Sequence, residues 1–333
     1  MKTYTNLFEK ACSFESLLAG YYRARRGKGS REEVARFGYR VEAHLLQLHT
    51  ELMEETYVHG EYRKFIVHDS KRREIQAAPF RDRVVHQAIV AALEPVFERR
   101  FIFDSYACRR EKGTHAALLR FERFMRVSRY ALSLDISKYF ASIDHTTLLS
   151  LIAHKVHDPR MLQLCQLVID SSETTFGHGI PIGNLTSQLF ANIYLDKLDQ
   201  YIKHTLRMRR YIRYMDDMVI LHDDKQILHE TKEKIRIYAE EVLGLILHPY
   251  KVQVAPTDRG IDFLGYRVFP RYRRLRRSTV KRFERRTKHQ IAAGGASENA
   301  VLSWRGYAMD ARSYGLRRSL AKRLKQPLLL VNN

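Results

Sequence analysis

The stretch Tyr211-Ile212-Arg213-Tyr214-Met215-Asp216-Asp217-Met218-Val219-Ile220-Leu221-His222 places two adjacent acids between two runs of strand-forming residues. Apolar runs of this length, rich in β-branched and aromatic side chains and broken once, read as a hairpin with Met215-Asp216-Asp217 at its tip. Two neighbouring carboxylates repel one another, and between apolar strands they are tolerated mainly when cations neutralise them. Asp223-Asp224, just past the second run, read instead as surface acids of an exit turn.

Outward from the hairpin, Ala131-Leu132-Ser133-Leu134-Asp135 reads as a short buried strand ending on a third acid. A helix with His145 near its start follows it. Helical spacing then runs from Thr186 to Tyr201 and from Ile227 to Leu243, with short strands around Val252–Val254 and Phe263–Val268. Strand, helix, hairpin, helix, strand is the order of a ferredoxin-like split βαβ sheet, so the class is α+β. Carboxylates from neighbouring strands of one sheet, here Asp135, Asp216 and Asp217, suit two Mg²⁺ ions serving in-line phosphoryl transfer. Further upstream, residues 1–58 read as two amphipathic helices around a basic turn, Arg25-Arg26-Gly27-Lys28-Gly29. Ser30 is the expected N-cap of the second, followed by acids Glu32 and Glu33. Residues 61–78 suggest a strand pair, and Arg81–Val96 has helical spacing.

The 333 residues carry 58 Lys and Arg against 37 Asp and Glu, a formal charge of +21. From Arg267 to Asn333 there are 18 basic residues against Glu284, Glu298 and Asp310, an excess of 15 that leaves only +6 for residues 1–266. Between Arg267 and Lys288 the charges interleave with Phe269, Tyr272, Leu275, Val280 and Phe283, which predicts a basic helix with one apolar side. Arginine forks suit phosphate oxygens, so the partner expected is a polyanion. No run approaches the roughly 20 apolar residues of a membrane helix. Glu9 and Glu15 interrupt the apolar residues near the N-terminus, which argues against a secretory signal. Cys12, Cys108 and Cys165 form no CxxC pair, and none of the 15 histidines falls in HExxH spacing. A disulfide scaffold and a thiolate zinc site are thereby disfavoured, and a cytoplasmic protein is expected.

Tyr214-Met215-Asp216-Asp217 on a strand-turn-strand resembles the YxDD signature of reverse transcriptases. The resemblance continues in chain order through Phe80-Arg81-Asp82-Arg83-Val84-Val85-His86-Gln87, Ser105-Tyr106-Ala107-Cys108-Arg109-Arg110-Glu111-Lys112-Gly113 and Leu134-Asp135-Ile136-Ser137-Lys138-Tyr139-Phe140. It resumes at Ile182-Gly183-Asn184-Leu185-Thr186-Ser187-Gln188-Leu189-Phe190-Ala191-Asn192, Lys251 and Phe263-Leu264-Gly265-Tyr266. It implies a right-hand polymerase with a ferredoxin-like palm, a helical fingers extension and a basic helical thumb. The divisions expected are N-terminal helices and fingers over 1–130, palm over 131–266 with a fingers insertion near 145–185, and thumb over 267–333.

By the same resemblance Asp135, Asp216, Asp217 and the Ile136 carbonyl would hold two Mg²⁺, with Mn²⁺ a possible substitute. Phe140 would stand against a ribose 2′-OH and so favour dNTPs. Ile182, Gly183 and Gln188 would lie beneath the incoming nucleotide, Arg109 and Lys112 would contact triphosphate or template, and Lys251 is a candidate general acid for pyrophosphate. Arg72 and Arg73, which precede the first of these motifs, are candidates to lie over the nucleotide. Leu264, Gly265 and Tyr266 would grip the primer end. Arg273, Arg274, Arg276, Arg277 and Arg285 would clasp the RNA–DNA duplex formed on a template RNA.

Two departures narrow the resemblance. Many bacterial enzymes carry Gln before the Gly and Ser-Pro in the loop motif, whereas here Ile182 and Ser187-Gln188 stand. The IGxxxSQ form is similar to reverse transcriptases of diversity-generating retroelements, as are Lys112-Gly113-Thr114-His115 and Ser303-Trp304-Arg305-Gly306-Tyr307. That likeness implies a bacterial or phage-encoded enzyme that copies a template-repeat RNA, misincorporates opposite adenine and works with a small, basic, oligomeric accessory protein. Residues 1–58 and the arginine-rich end are alternative docking surfaces for it. A group II intron, retron-type or defence-associated enzyme is the first alternative, and a non-catalytic RNA-binding scaffold the second.

Overall fold

A computed structural model describes residues 3–68, 72–172, 176–293, 295 and 297–330. Four short helices open the chain: α1 (Leu7–Cys12), α2 (Phe14–Arg25), α3 (Glu32–Tyr39) and α4 (Val41–Met53). Each of the two expected helices is thus divided. The first breaks at Ser13, whose hydroxyl accepts the Ser16 N–H and caps α2. The second breaks at Arg40, and Arg31 rather than Ser30 flanks α3. An antiparallel hairpin follows, β1 (Arg63–His68) with β2 (Arg72–Ala77). The long α5 (Phe80–Glu98) then buries Val84, Val85, Ala88, Ile89, Leu93 and Val96 against α1 and α2 and against a later helix that follows residue 184.

The next elements are α6 (Thr114–Arg126), β3 (Tyr130–Leu134), α7 (His145–Ala153) and α8 (Pro159–Asp170). Asp144 and Asp158 cap α7 and α8 by accepting the N–H groups of Thr147 and Met161. The helix α9 (Leu185–Gln200) passes through a π-helical turn into β4 (Tyr211–Tyr214) and β5 (Asp217–His222). Asp223 pairs with Arg210, and Asp224 caps α10 (Lys225–Leu243), which ends on left-handed Gly244. The last strands are β6 (Gln253–Pro256), β7 (Ile261–Phe263), β8 (Tyr266–Val268) and β9 (Arg273–Leu275), before α11 (Arg277–Ala292), α12 (Glu298–Met309) and α13 (Tyr314–Leu324).

Strands β4, β5, β3 and β6 lie side by side in that order, every neighbouring pair antiparallel. This is the ferredoxin-like arrangement that the element order predicts. Successive strand residues point to opposite faces, and here both faces are covered. Leu132, Leu134, Tyr211, Met218 and Ile220 join a core shared with α9 and α10. Ala131, Ile212, Val219 and Leu221 join a second core with Phe121 of α6 and with Phe263 and Tyr266. Burial on both faces explains why these strands are apolar throughout rather than alternating, and each fully buried leucine contributes roughly 1.5–3 kcal/mol.

Strands β7, β8 and β9 form a separate antiparallel sheet, so the division expected at 266 runs through a sheet. The basic helix expected over Arg267–Lys288 begins only at Arg277, because Tyr266–Val268 and Arg273–Leu275 pair as strands. The terminal helices enclose a third core of Phe283, Val301, Leu320 and Leu324, with Trp304 stacked on Phe283 at 4.0 Å between ring centroids. Among the described residues no helix is long and apolar enough to cross a membrane.

Candidate active site

Tyr214 and Asp217 close the β4–β5 hairpin around a two-residue turn, Met215-Asp216. Met215 has φ of 55°, the left-handed region that tight hairpin turns demand and that a side chain makes costly. The register that pairs Leu134 with Met218 carries Asp135, one residue past β3, alongside Asp217. The three acids are close enough to act on one another. Burial, and then the Asp135 charge, push the Asp216 carboxyl above its ordinary range. Burial, and then the charges of Asp216 and Asp135, push Asp217 up to about 7.

Positive groups surround them. Lys251 Nζ donates to both oxygens of Asp135 at 2.7 Å. Arg73 lies where its charge eases the ionisation of Asp216, and Arg276 does the same for Asp217. Among the described residues no three His, Cys, Asp or Glu side chains close a metal cage by themselves. Hard oxygen donors that repel each other at one end of the sheet nevertheless fit Mg²⁺, which is usually held by one or two carboxylates with the remaining positions left to water and substrate phosphates. Ile136 is buried in an isolated bridge with Leu247, whose hydrogen bonds run through the flanking Asp135 carbonyl and Ser137 N–H.

The loop before α9 is tied to the β1–β2 hairpin. Gln76 N–H donates to the Ile182 carbonyl at 3.0 Å, and the Asn184 amide donates to the Gln76 carbonyl at 3.1 Å. Gly183 has φ of 121°, and a Cβ there would stand 2.8 Å from Ile75 Cγ2, so both backbone and space require glycine. Ile182 and Gln188 are half-buried, on the loop and the first turn of α9. Phe140 is half-buried, packed against the main core and edge-on to Tyr139 at 5.6 Å.

Some expected contacts are spent elsewhere. Arg109 is 6% exposed, ion-paired to Glu98 at 2.6 Å and bonded to the Ile102 and Ser105 carbonyls, so it holds its own loop together rather than reaching for phosphates. Lys112 donates to the Phe103 carbonyl and lies 3.5 Å over that ring. Arg72 is exposed on β2, and it is its neighbour Arg73 whose charge reaches Asp216. Tyr266 is 1% exposed and donates to the Tyr307 carbonyl, so its ring belongs to the core while Leu264 and Gly265 form the turn surface. Arg273 pairs with Glu122 of α6 and donates to the Asp310 carbonyl, which makes it a strut between elements. Arg276 pairs with Asp262 at 3.1 Å, while Arg274, Arg277 and Arg285 are exposed.

The turn of Leu264 and Gly265 also touches the acids, because the Leu264 N–H hydrogen-bonds to Asp217. Sequence reasoning missed two further groups. Asn184 stitches the loop before α9 to β2, and Arg213 is buried behind the acid turn on Asp199. An arginine inside an otherwise apolar strand run, two residues before the turn, was the available signal for the second.

Known proteins resemble this chain over part of its length. Protein YkfC of Escherichia coli K12 is 25% identical over 243 residues, covering 60% of this chain and 64% of that protein. The group II intron-encoded protein LtrA of Lactococcus lactis subsp. cremoris is 24% identical over 282 residues, covering 64% of this chain and 46% of that protein. Nuclear intron maturase 4, mitochondrial, of Arabidopsis thaliana is 29% identical over 142 residues, covering 40% and 18%. The chain spans less than two thirds of the length of each. The family model described as reverse transcriptase (RNA-dependent DNA polymerase) matches residues 64–268, which hold all three acids and the whole four-stranded sheet, and the chain belongs to that family.

Proposed function

We propose that the protein is an RNA-directed DNA polymerase that adds deoxynucleotides to a primer on a template RNA. The convergence of Asp135, Asp216 and Asp217 at one end of the sheet, where Asp216 and Asp217 are raised by burial and by their neighbours' charge, is the observation that carries this reading. Asp135, Asp216 and Asp217 would hold two Mg²⁺, or Mn²⁺ in their place, with the Ile136 carbonyl as a further oxygen donor. When bound, such ions activate the primer hydroxyl and neutralise the leaving pyrophosphate. The chain's own groups orient the substrates: Gly183 allows close backbone approach, Phe140 stands against a 2′-OH, and Lys251 lies within reach of the same carboxylate edge. The exposed arginines Arg274, Arg277 and Arg285 clasp the duplex without reading its sequence.

The finer reading is a diversity-generating retroelement enzyme, soluble in the bacterial cytoplasm, copying a template-repeat RNA with errors opposite adenine beside a small basic accessory protein. Ile182 in place of a hydrogen-bonding Gln supports it, because an aliphatic side chain removes a polar contact that would help discriminate the nucleotide. The second reading, a group II intron-type enzyme, is favoured by the names of LtrA and the intron maturase among its relatives. Sequencing cDNA made on a defined RNA separates the two. Errors concentrated opposite adenine, and reduced by Ile182→Gln, support the retroelement reading. Uniform low error, or an unchanged spectrum in the variant, rejects that role for Ile182.

A further inference from the structure

Arg213 lies in β4 with none of its surface exposed. Its guanidinium is engaged on every side. Nε and Nη2 grip both oxygens of Asp199 on α9 at 2.6 to 2.9 Å. Nη1 donates to Asn192 Oδ1 at 3.0 Å and to the Met215 carbonyl at 3.2 Å. Asp199 is held from its other side by the Tyr211 hydroxyl at 2.6 Å, and the Asn192 amide donates to the Ala107 carbonyl at 2.9 Å. The backbone of Arg213 adds a link to the fingers side, donating to the Asp104 carbonyl and accepting the Tyr106 N–H.

A fully buried ion pair is a poor stability device, since apolar residues of similar size hold a core as well or better. What an apolar pair cannot do is present a donor to the Met215 carbonyl. Met215 is a non-glycine residue in a left-handed conformation, which persists only when its surroundings impose it. The next residue is Asp216. We propose that Arg213 is a positioning residue: anchored by Asp199 and Asn192, it fixes the Met215 carbonyl and thereby the direction in which Asp216 presents its carboxylate to a divalent cation. This rests on the polymerase reading and extends it to a group that touches neither substrate nor metal. A lysine keeps the charge pair with Asp199 but lacks the fork that serves three partners at once.

Two variants test it, Arg213→Lys and the charge-free double variant Arg213→Met with Asp199→Leu. The readouts are thermal unfolding, Mn²⁺ affinity by calorimetry on the protein without nucleic acid, and kcat and KM for dNTP on an RNA-templated primer. The expected result is a cooperative unfolding transition in at least the lysine variant, with Mn²⁺ affinity about 10-fold weaker. Its kcat falls about 100-fold while KM and duplex affinity stay within about twofold. A folded variant with the parent's metal affinity and kcat overturns the proposal. If the double variant does not fold, the lysine variant decides alone. A parent protein that fails to extend any primer strikes the polymerase reading, and the calorimetric comparison still decides what Arg213 does.

Discussion

His86 lies in α5 with 1% of its surface exposed, its Nε2 3.2 Å from His59 Nε2 and its ring stacked on that histidine. Its Nδ1 has no hydrogen-bond partner among the described residues. Burial, and then the neighbouring His59 and Arg83 charges, lower its pKa from 6.5 to about 3. The folded protein therefore keeps His86 neutral at pH values where the unfolded chain protonates it. Stability is fully present above about 6.5 and falls as the pH drops toward about 3, because the unfolded state then binds the extra proton. Thermal melts at about pH 7 and about pH 5 should show a drop for the parent and a smaller drop for His86→Phe. Equal drops would show that another group sets the acid limb.

At the scale of elements, the β7–β8 turn joins the acid edge to the C-terminal helices. Leu264 and Gly265 have φ of 49° and 84°, the paired left-handed residues of a tight hairpin turn. The Gly265 carbonyl accepts the Arg276 N–H, and a Cβ on Gly265 would stand 2.1 Å from the Tyr307 hydroxyl. Gly265→Ala should destabilise by about 1–2 kcal/mol from backbone strain, plus the displacement of Tyr307. In a Tyr307→Phe background the second part disappears, so the same substitution should cost less there, as urea melts would measure. Equal costs in the two backgrounds would place the strain elsewhere.

This scale also separates what could be read in advance from what could not. The acid hairpin and the order of the four-stranded sheet were legible because apolar runs, acids and helical spacing are local patterns. The roles of Arg109 and Arg273 were not. A residue type announces a charge but not its partner, and here the partners are Glu98 across a loop and Glu122 some 150 residues away. Asp135 and Asp217 were each legible as acids, while their adjacency follows from strand register, which only the paired sheet reveals.

For the molecule as a whole, the charge of +21 is divided unevenly along the chain. An excess of 15 lies beyond residue 266, where some arginines brace the fold and Arg274, Arg277 and Arg285 remain at the surface. The nearly balanced remainder contains the acid edge, ringed by Lys251, Arg73 and Arg276. On the proposed function, duplex binding falls to the exposed arginines and chemistry to the acids, so each should be removable without the other. The most direct test is dNTP incorporation on an RNA template with a DNA primer and Mg²⁺, comparing the parent with the Asp216→Ala, Asp217→Ala double variant while duplex binding is measured in parallel. The account predicts template-dependent extension by the parent, and none above background by a variant that still binds the duplex with a salt-sensitive affinity. A parent that extends nothing, or a double variant that extends as well as the parent, would contradict it.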